Sequence, residues 1–450
     1  MTEQKNTQAV GMAFMGMIFF IFGFVTTFNI TLADKFKAVF DLSNFQAQLV
    51  NGAFFFTYFV LSFASGSIIK KIGYKAGVIL GLVLVAVGSF LFFPAAKVPS
   101  FPFFLFAIFI MASGVVFLQV AANPYVTALG PSETASGRLN LTQALNSIAT
   151  TIAPIIASIF VFKTVAESAL DSALSPAQQA AQSVPVPFII IGILVLIIAV
   201  VIFNLKLPVI PTTGVQGKSV WKYPHVILGA LGIFFYVGAE VGSAAMVQRY
   251  LQEASGFTQT EAAKMIALYW GGAMIGRFYA SFMLSNTEKS KKYLYTTLVL
   301  ILAFIVGWYI RRELTDGLIF TGVAVINYLA MQLGSGKANK TLAVFAVIAA
   351  ILALATMTVP TNMILWVGCS IGFFNSVMFP NIFALGVDGL DKGELSTASG
   401  IINTLIVGGA IIPVLMGQIA DGFGVKASFI LPILCYAYIA FFALVGSKHK

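Results

Sequence analysis

Apolar runs of roughly 20 residues, the length that crosses a hydrocarbon core as an α-helix, follow one another along this chain with short gaps between them. Residues 189–203 and 341–359 are clear examples. Hydrophobic residues make up 59% of the sequence and charged residues 9%, whereas soluble domains carry about 25% charged. With a mean hydropathy of +0.95, a water-soluble fold is excluded. Membrane β-strands would show as short alternating segments. The fold class is therefore all-α, a polytopic membrane protein, and 450 residues hold about 12 to 14 spans.

Breaks rich in Gly, Pro or charge place six spans near 10–38, 45–69, 74–95, 101–128, 138–162 and 186–205. Residues 206–222 mix Pro, Gly and Lys without apolar periodicity and read as a linker. Beyond it, eight spans fall near 223–250, 261–285, 293–310, 317–335, 341–359, 362–386, 396–420 and 425–446. This gives an N-terminal half over 1–205, a cytoplasmic linker over 206–222 and a C-terminal half over 223–450. The second half has two spans more than the first. A two-helix hairpin returns the chain to the side it left, so an insert near 293–335 preserves the order of everything after it. The alternative is that one of these helices belongs to the basic set and the boundaries lie elsewhere.

The net charge of +10 does not point to nucleic acid, because Lys70, Lys71, Lys75, Arg138, Lys206, Lys218, Lys222 and Lys289 to Lys292 fall in alternate loops. That pattern puts both termini in the cytoplasm, with 163–187 and 311–316 outside. The stretch 175–182 reads as a short surface helix opened by Ser175 and Pro176. Cys369 and Cys435 lie within apolar runs as packing residues, and the first apolar stretch reads as a retained helix. Two histidines and no ligand cluster leave nothing for hydrolytic or metal chemistry. The chain is expected to be no enzyme and to carry no cofactor or metal, with lipid as its surroundings and a monomer as its state.

What the sequence offers instead is polar residues within apolar helices, each costly unless it meets a partner or ligand. Gln119 and Asn123 stand four apart on one face of the fourth span, ahead of Pro124. Asn140, Gln143, Asn146 and Ser147 line one face of the fifth. Uncharged amides both donate and accept, which suits a polyhydroxylated neutral solute; they also serve as packing glue between helices. Tyr58, Tyr236, Trp270, Phe374 and Phe379 lie near polar positions and offer faces for a pyranose. Asn375, Asn381 and Asn403 add amides, and Pro380 opens the backbone. Glu240 sits in the core of the seventh span as a cation site, a proton carrier or a structural acid held neutral by hydrogen bonds. Arg277 in the eighth span is its partner or reaches for the cytoplasmic face.

The string GSIIKKIGYK, with Gly66, Lys70, Lys71 and Gly73, resembles the gating-loop motif of the major facilitator superfamily, and Gly272, Gly276 and Arg277 look like its counterpart in the second half. Lys70 stands where that motif has an acid, so its usual salt bridge is missing. LQVAANPYVTALG, GRLNLTQALNS, FFYVGAEV and SVMFPNIFALG resemble the fucose/proton symporter family, especially its glucose/galactose branch. The resemblance implies a major facilitator fold of two six-helix halves, here with the additional hairpin and about 14 spans, in a bacterial inner membrane.

It further implies a secondary transporter of a glucose/galactose-like hexose working by alternating access. Substrate contacts would come from Gln119, Asn123, Gln143, Asn146, Tyr236, Asn375 and Phe379. Ile30 and Gln119 stand where the family's titrating carboxylates would be, which argues against proton symport by that mechanism. Sodium coupling or passive facilitation remain, with Glu240, Thr27 and Asn29 as ion-coupling candidates. The competing readings are transport of an amino or deoxy sugar, and a non-transporting sensor on the same fold.

Overall fold

A computed structural model describes the backbone of residues 2–39, 44–97, 100–157, 185–205, 207–212 and 220–448. Within these it describes all side chains but those of residues 2–7, 29–39, 44–51, 154, 155, 157, 185, 259 and 260. The described residues form no strand, as expected of backbone that must satisfy itself within one segment. Sixteen α-helices follow in order. The first six are α1 (Thr2–Val39), α2 (Asn44–Ile72), α3 (Tyr74–Lys97), α4 (Phe101–Ala128), α5 (Ala135–Ala157) and α6 (Pro185–Asn204). Then come α7 (Pro224–Ser255), α8 (Gln259–Met283), α9 (Lys289–Arg311), α10 (Leu314–Leu333) and α11 (Ala338–Thr358). The last are α12 (Thr361–Asn375), α13 (Met378–Gly386), α14 (Leu395–Thr404), α15 (Gly408–Phe423) and α16 (Ile430–Phe441).

Local chemistry sets the ends. Helix α7 opens on Pro224, whose missing N–H is harmless in a first turn, and closes on Gly256 in the left-handed region at φ 69°. Helix α8 opens on a reciprocal capping box of Thr258 and Glu261. The turn between α2 and α3 is a single residue, Gly73, at φ 86°, a conformation that costs a residue with a Cβ.

Twelve segments of the described residues are long and apolar enough to cross a membrane. Helices α5 and α8 are not among them because they carry the amides and charges singled out above. Helices α12 and α13 are one rod interrupted at Ser376–Val377, and α14 is followed by α15 after Leu405–Val407. The sequence boundaries hold to within a few residues, and α4 spans the expected 101–128. The surface helix expected at 175–182, nearly all of the 163–187 loop and parts of the linker lie outside the described residues.

The described chain packs as two compact units. One takes Met1–Tyr125, Ile148–Gly217 and Asp391–Thr404; the other takes Val126–Ser147, Lys218–Leu390 and Leu405–Lys450. In the first, α2 crosses α14 closely: a Cβ on Gly66 would lie 2.5 Å from the Ser396 carbonyl oxygen. In the second, α9 and α10 form an antiparallel hairpin packed on α8. Only Val299, Ala303 and Gly307 of α9 are buried, and its apolar remainder is left for lipid. Helices α8 and α12 approach through Gly272, Gly276 and Gly372, the small-residue contact that lets membrane helices touch at their backbones. A Cβ on Gly372 would overlap the Tyr269 carbonyl oxygen.

Gly372→Leu is therefore expected to destabilise the protein by about 1–3 kcal/mol or more through overpacking. Gly322→Ala, where nothing lies within 4 Å of the added carbon, should leave stability unchanged or slightly raised. Thermal unfolding of the purified variants in detergent tests both. Equal melting temperatures for Gly372→Leu and the parent would show that the crossing is looser than described.

Candidate functional site

Two buried polar clusters are built on helices that proline or glycine lets bend or approach. In the first unit the Tyr58 hydroxyl of α2 donates to Gln119 Oε1 of α4 at 2.7 Å. One turn on, Asn123 is fully buried, and neither of its amide atoms has a hydrogen-bond partner among the described residues. Pro124 has no N–H, so the Val120 carbonyl four residues earlier loses its helical donor. Ser399 Oγ of α14 replaces that donor at 2.9 Å. The amide face of α4 thus lies on a helix whose own backbone is repaired from outside. Thr27 is half-buried on α1, and the Asn29 side chain lies outside the described residues.

The second cluster centres on Glu240 of α7 and Arg277 of α8, each 8% exposed. Arg277 Nη2 lies 3.6 Å from Glu240 Oε1. Its Nη1 donates to Ser147 Oγ of α5 at 2.5 Å, and its Nε donates to the Ser376 carbonyl at 3.3 Å. That carbonyl is the one deprived of a donor by Pro380. Of the two alternatives for Arg277, the guanidinium takes the inward one: it sits in the middle of a helix, not in a loop. The Tyr236 hydroxyl lies beside both charges without a hydrogen bond of full geometry, and its ring lies 6.4 Å from that of Phe379.

Around this pair, Asn375 Nδ2 donates to the Tyr269 hydroxyl at 2.6 Å, which donates to the Glu240 carbonyl at 2.9 Å. Asn375 Oδ1, Ser243 Oγ and the Tyr436 hydroxyl are buried without a partner among the described residues, and Tyr436 faces both Asn375 and Ser243. On α5, Gln143 and Asn146 are buried on the face that ends in Ser147. The Gln143 amide makes no hydrogen bond among the described residues. Asn140 Nδ2 donates to the Ser136 carbonyl and to Asn381 Oδ1 at 3.2 Å, which spends that amide on packing.

Buried hydroxyls and amides without partners cost free energy unless water or a ligand satisfies them. Those of Asn375, Ser243 and Tyr436 fall close to one another and, through Tyr269, beside Glu240, which makes this cluster a candidate site with donors and acceptors. The ion pair in its midst is neutral as a unit. Removing one member would strand the other charge at a cost of about 3–5 kcal/mol.

At the loop motif the structure supplies a partner that sequence reasoning missed. Lys70 Nζ lies 2.7 Å from Glu394 Oε1, in the turn before α14. The bridge expected to be missing is present with its charges inverted, while Lys71 is exposed. Tyr269, Ser243, Tyr436, Ser399 and Asn327 were also missed. A hydroxyl or amide inside an apolar span was the available signal, but nothing in the sequence pairs it across helices.

The family model described as Major Facilitator Superfamily matches residues 12–336. A glucose/galactose transporter of Brucella abortus biovar 1 (strain 9-941) is 36% identical, with 99% of this chain and 97% of that protein covered. The L-fucose-proton symporter of Escherichia coli (strain K12) is 31% identical, with 99% of this chain and 95% of that one covered. Among solved structures, the transporter FucP in the outward conformation superposes with a TM-score of 0.76 at 29% identity, over 98% of this chain and 100% of that one. Matched by the family model over most of its length and by full-length relatives nearly end to end, this chain belongs to the major facilitator superfamily.

Proposed function

We propose that the protein carries a neutral hexose of the glucose or galactose class across a bacterial inner membrane by alternating access, with both termini in the cytoplasm. The observation that carries this reading is the concentration of uncharged polar side chains buried in the spans: Gln143 and Asn146 on α5, Ser243 on α7, Asn375 on α12 and Tyr436 on α16, with Asn375 tied through Tyr269 to the backbone at Glu240. A phosphorylated or acidic substrate would need an unpaired cation, and Arg277 is committed to Glu240 and Ser147. An apolar drug would leave the amides unsatisfied. The names borne by the Brucella and Helicobacter pylori relatives support the same substrate class. A deoxy sugar is the second reading, favoured by the similarity to the fucose symporter.

Replacing Gln143 or Asn146 with Ala is expected to leave a folded protein whose sugar affinity falls by about 1–3 kcal/mol for each hydroxyl left unpaired in a dry cavity. Calorimetric titration of the purified variants with D-glucose, D-galactose and L-fucose measures this. Unchanged affinity in both variants would remove α5 from the site.

Ion coupling, in this reading, passes through Glu240. Gln119 bonds Tyr58 and has no proton to give, and a carboxylate is the usual way for an ion to bind one conformation better than the other in low dielectric. Because Glu240→Gln alone strands Arg277, the paired variant Glu240→Gln/Arg277→Gln keeps the site neutral. In proteoliposomes it is expected to exchange sugar for sugar yet fail to accumulate it in a sodium or proton gradient. Accumulation at the parent level would make the pair structural.

Orientation is tested separately. A cysteine introduced at Glu313, in the α9–α10 turn, should react with an impermeant maleimide in intact cells, and one at Lys291 should react only after lysis. Equal labelling at Lys291 in intact cells would reverse the assignment.

A further inference from the structure

The α9–α10 hairpin buries little of itself, yet one of its residues is wholly buried and polar. Asn327 of α10 has no exposed surface, and its Nδ2 donates to the Phe373 carbonyl of α12 at 2.9 Å. That carbonyl lies just before the interruption at Ser376–Val377 and also accepts Ser376 Oγ at 2.7 Å. Seven residues before Asn327, and so on the same helix face, Phe320 sets its ring 4.7 Å from that of Phe373. The hairpin therefore grips α12 at Phe373, three residues before its break.

The other half of Asn327 says why this is more than packing. Its Oδ1 is buried without a partner among the described residues. For stability alone an apolar residue of the same size would serve better, since half of the amide is desolvated for nothing. What the amide supplies is a donor to a backbone acceptor at a broken helix. The break lies between Asn375 and Phe379, the amide and the ring assigned above to the sugar site, and Arg277 grips its other side at the Ser376 carbonyl. A break held from two sides fixes the direction in which α13 leaves α12. With it, the break fixes the relative position of Asn375 and Phe379.

We propose that Asn327 is a positioning residue for the sugar site, and that the hairpin serves as an outer brace for the broken α12–α13 rod. The proposal rests on the sugar-transport reading for its functional readout, but its structural readout needs no substrate.

Asn327→Leu removes the donor at nearly constant volume. In the full-length purified protein, hydrogen exchange of peptides covering residues 376–383 is expected to speed up about tenfold, while α9 and the rest of α10 keep the parent rate. Affinity for D-glucose or D-galactose is expected to weaken about fivefold with the melting temperature unchanged, a split that loss of packing alone would not give. Should Asn327→Leu not fold, Asn327→Ala needs no additional space and gives the same readings. Parent exchange at 376–383 overturns the proposal, and so does parent affinity in a variant whose exchange has risen. If the parent protein binds none of these sugars, the functional reading fails, while the exchange comparison still decides whether Asn327 holds the break.

Discussion

Inside a bilayer no water is available to a peptide group, and each unpaired N–H or C=O costs several kcal/mol. A helix that runs straight meets this demand by itself; a helix that must open cannot. In this protein the two polar clusters stand where it does not. Pro124 releases the Val120 carbonyl and Pro380 releases the Ser376 carbonyl, and each is taken by a side chain of another helix, Ser399 and Arg277. The interruption after Asn375 places a further carbonyl, that of Phe373, in the reach of Asn327. Repairs of this kind tie the polar residues to the backbone they stand on. Substitution of a repairing side chain is therefore felt at the site as well as in the fold.

Charge is handled under the same rule. Glu240 with Arg277, Lys70 with Glu394 and Arg311 with Asp316 pair acid with base on different helices or across a turn. The Arg311–Asp316 pair is bidentate, with Nε–Oδ2 at 2.5 Å and Nη2–Oδ1 at 2.6 Å, and closes the hairpin turn. Arg312 beside it takes a left-handed backbone and lies over Trp308 and Tyr309, as expected of a cation near an aromatic belt. The Lys70–Glu394 pair is partly exposed and screened, while the Arg311–Asp316 pair sets a buried carboxylate against a partly exposed guanidinium. The pair at Glu240 is buried, so its partners depend on one another far more strongly. Hydroxyls and amides surround this buried pair, and this sets it apart from the other two.

Lys70 shows how a motif can survive a reversal of sign. Glu394 provides the opposite charge for Lys70 at this turn, as an acid there would need a base. The single-residue turn at Gly73 keeps Lys70 at the helix end, where its amine reaches that carboxylate.

Hydrocarbon thickness and the absence of water within it make span number, length and order a matter of composition. The sequence by itself therefore determined the all-α membrane fold and the order of its helices. Helical spacing likewise put Gln119 with Asn123, and Gln143 with Asn146 and Ser147, on common faces. Which helix each face meets is a different matter, because side chains on different helices pair only when packing brings them together. Tertiary structure alone decided that Arg277 turns inward to Glu240 and Ser147, that Asn140 is spent on Asn381, that Lys70 finds Glu394, and that an asparagine in the α9–α10 hairpin holds the break in α12. Periodicity in one helix carries no information about the acceptor a neighbouring proline has left open.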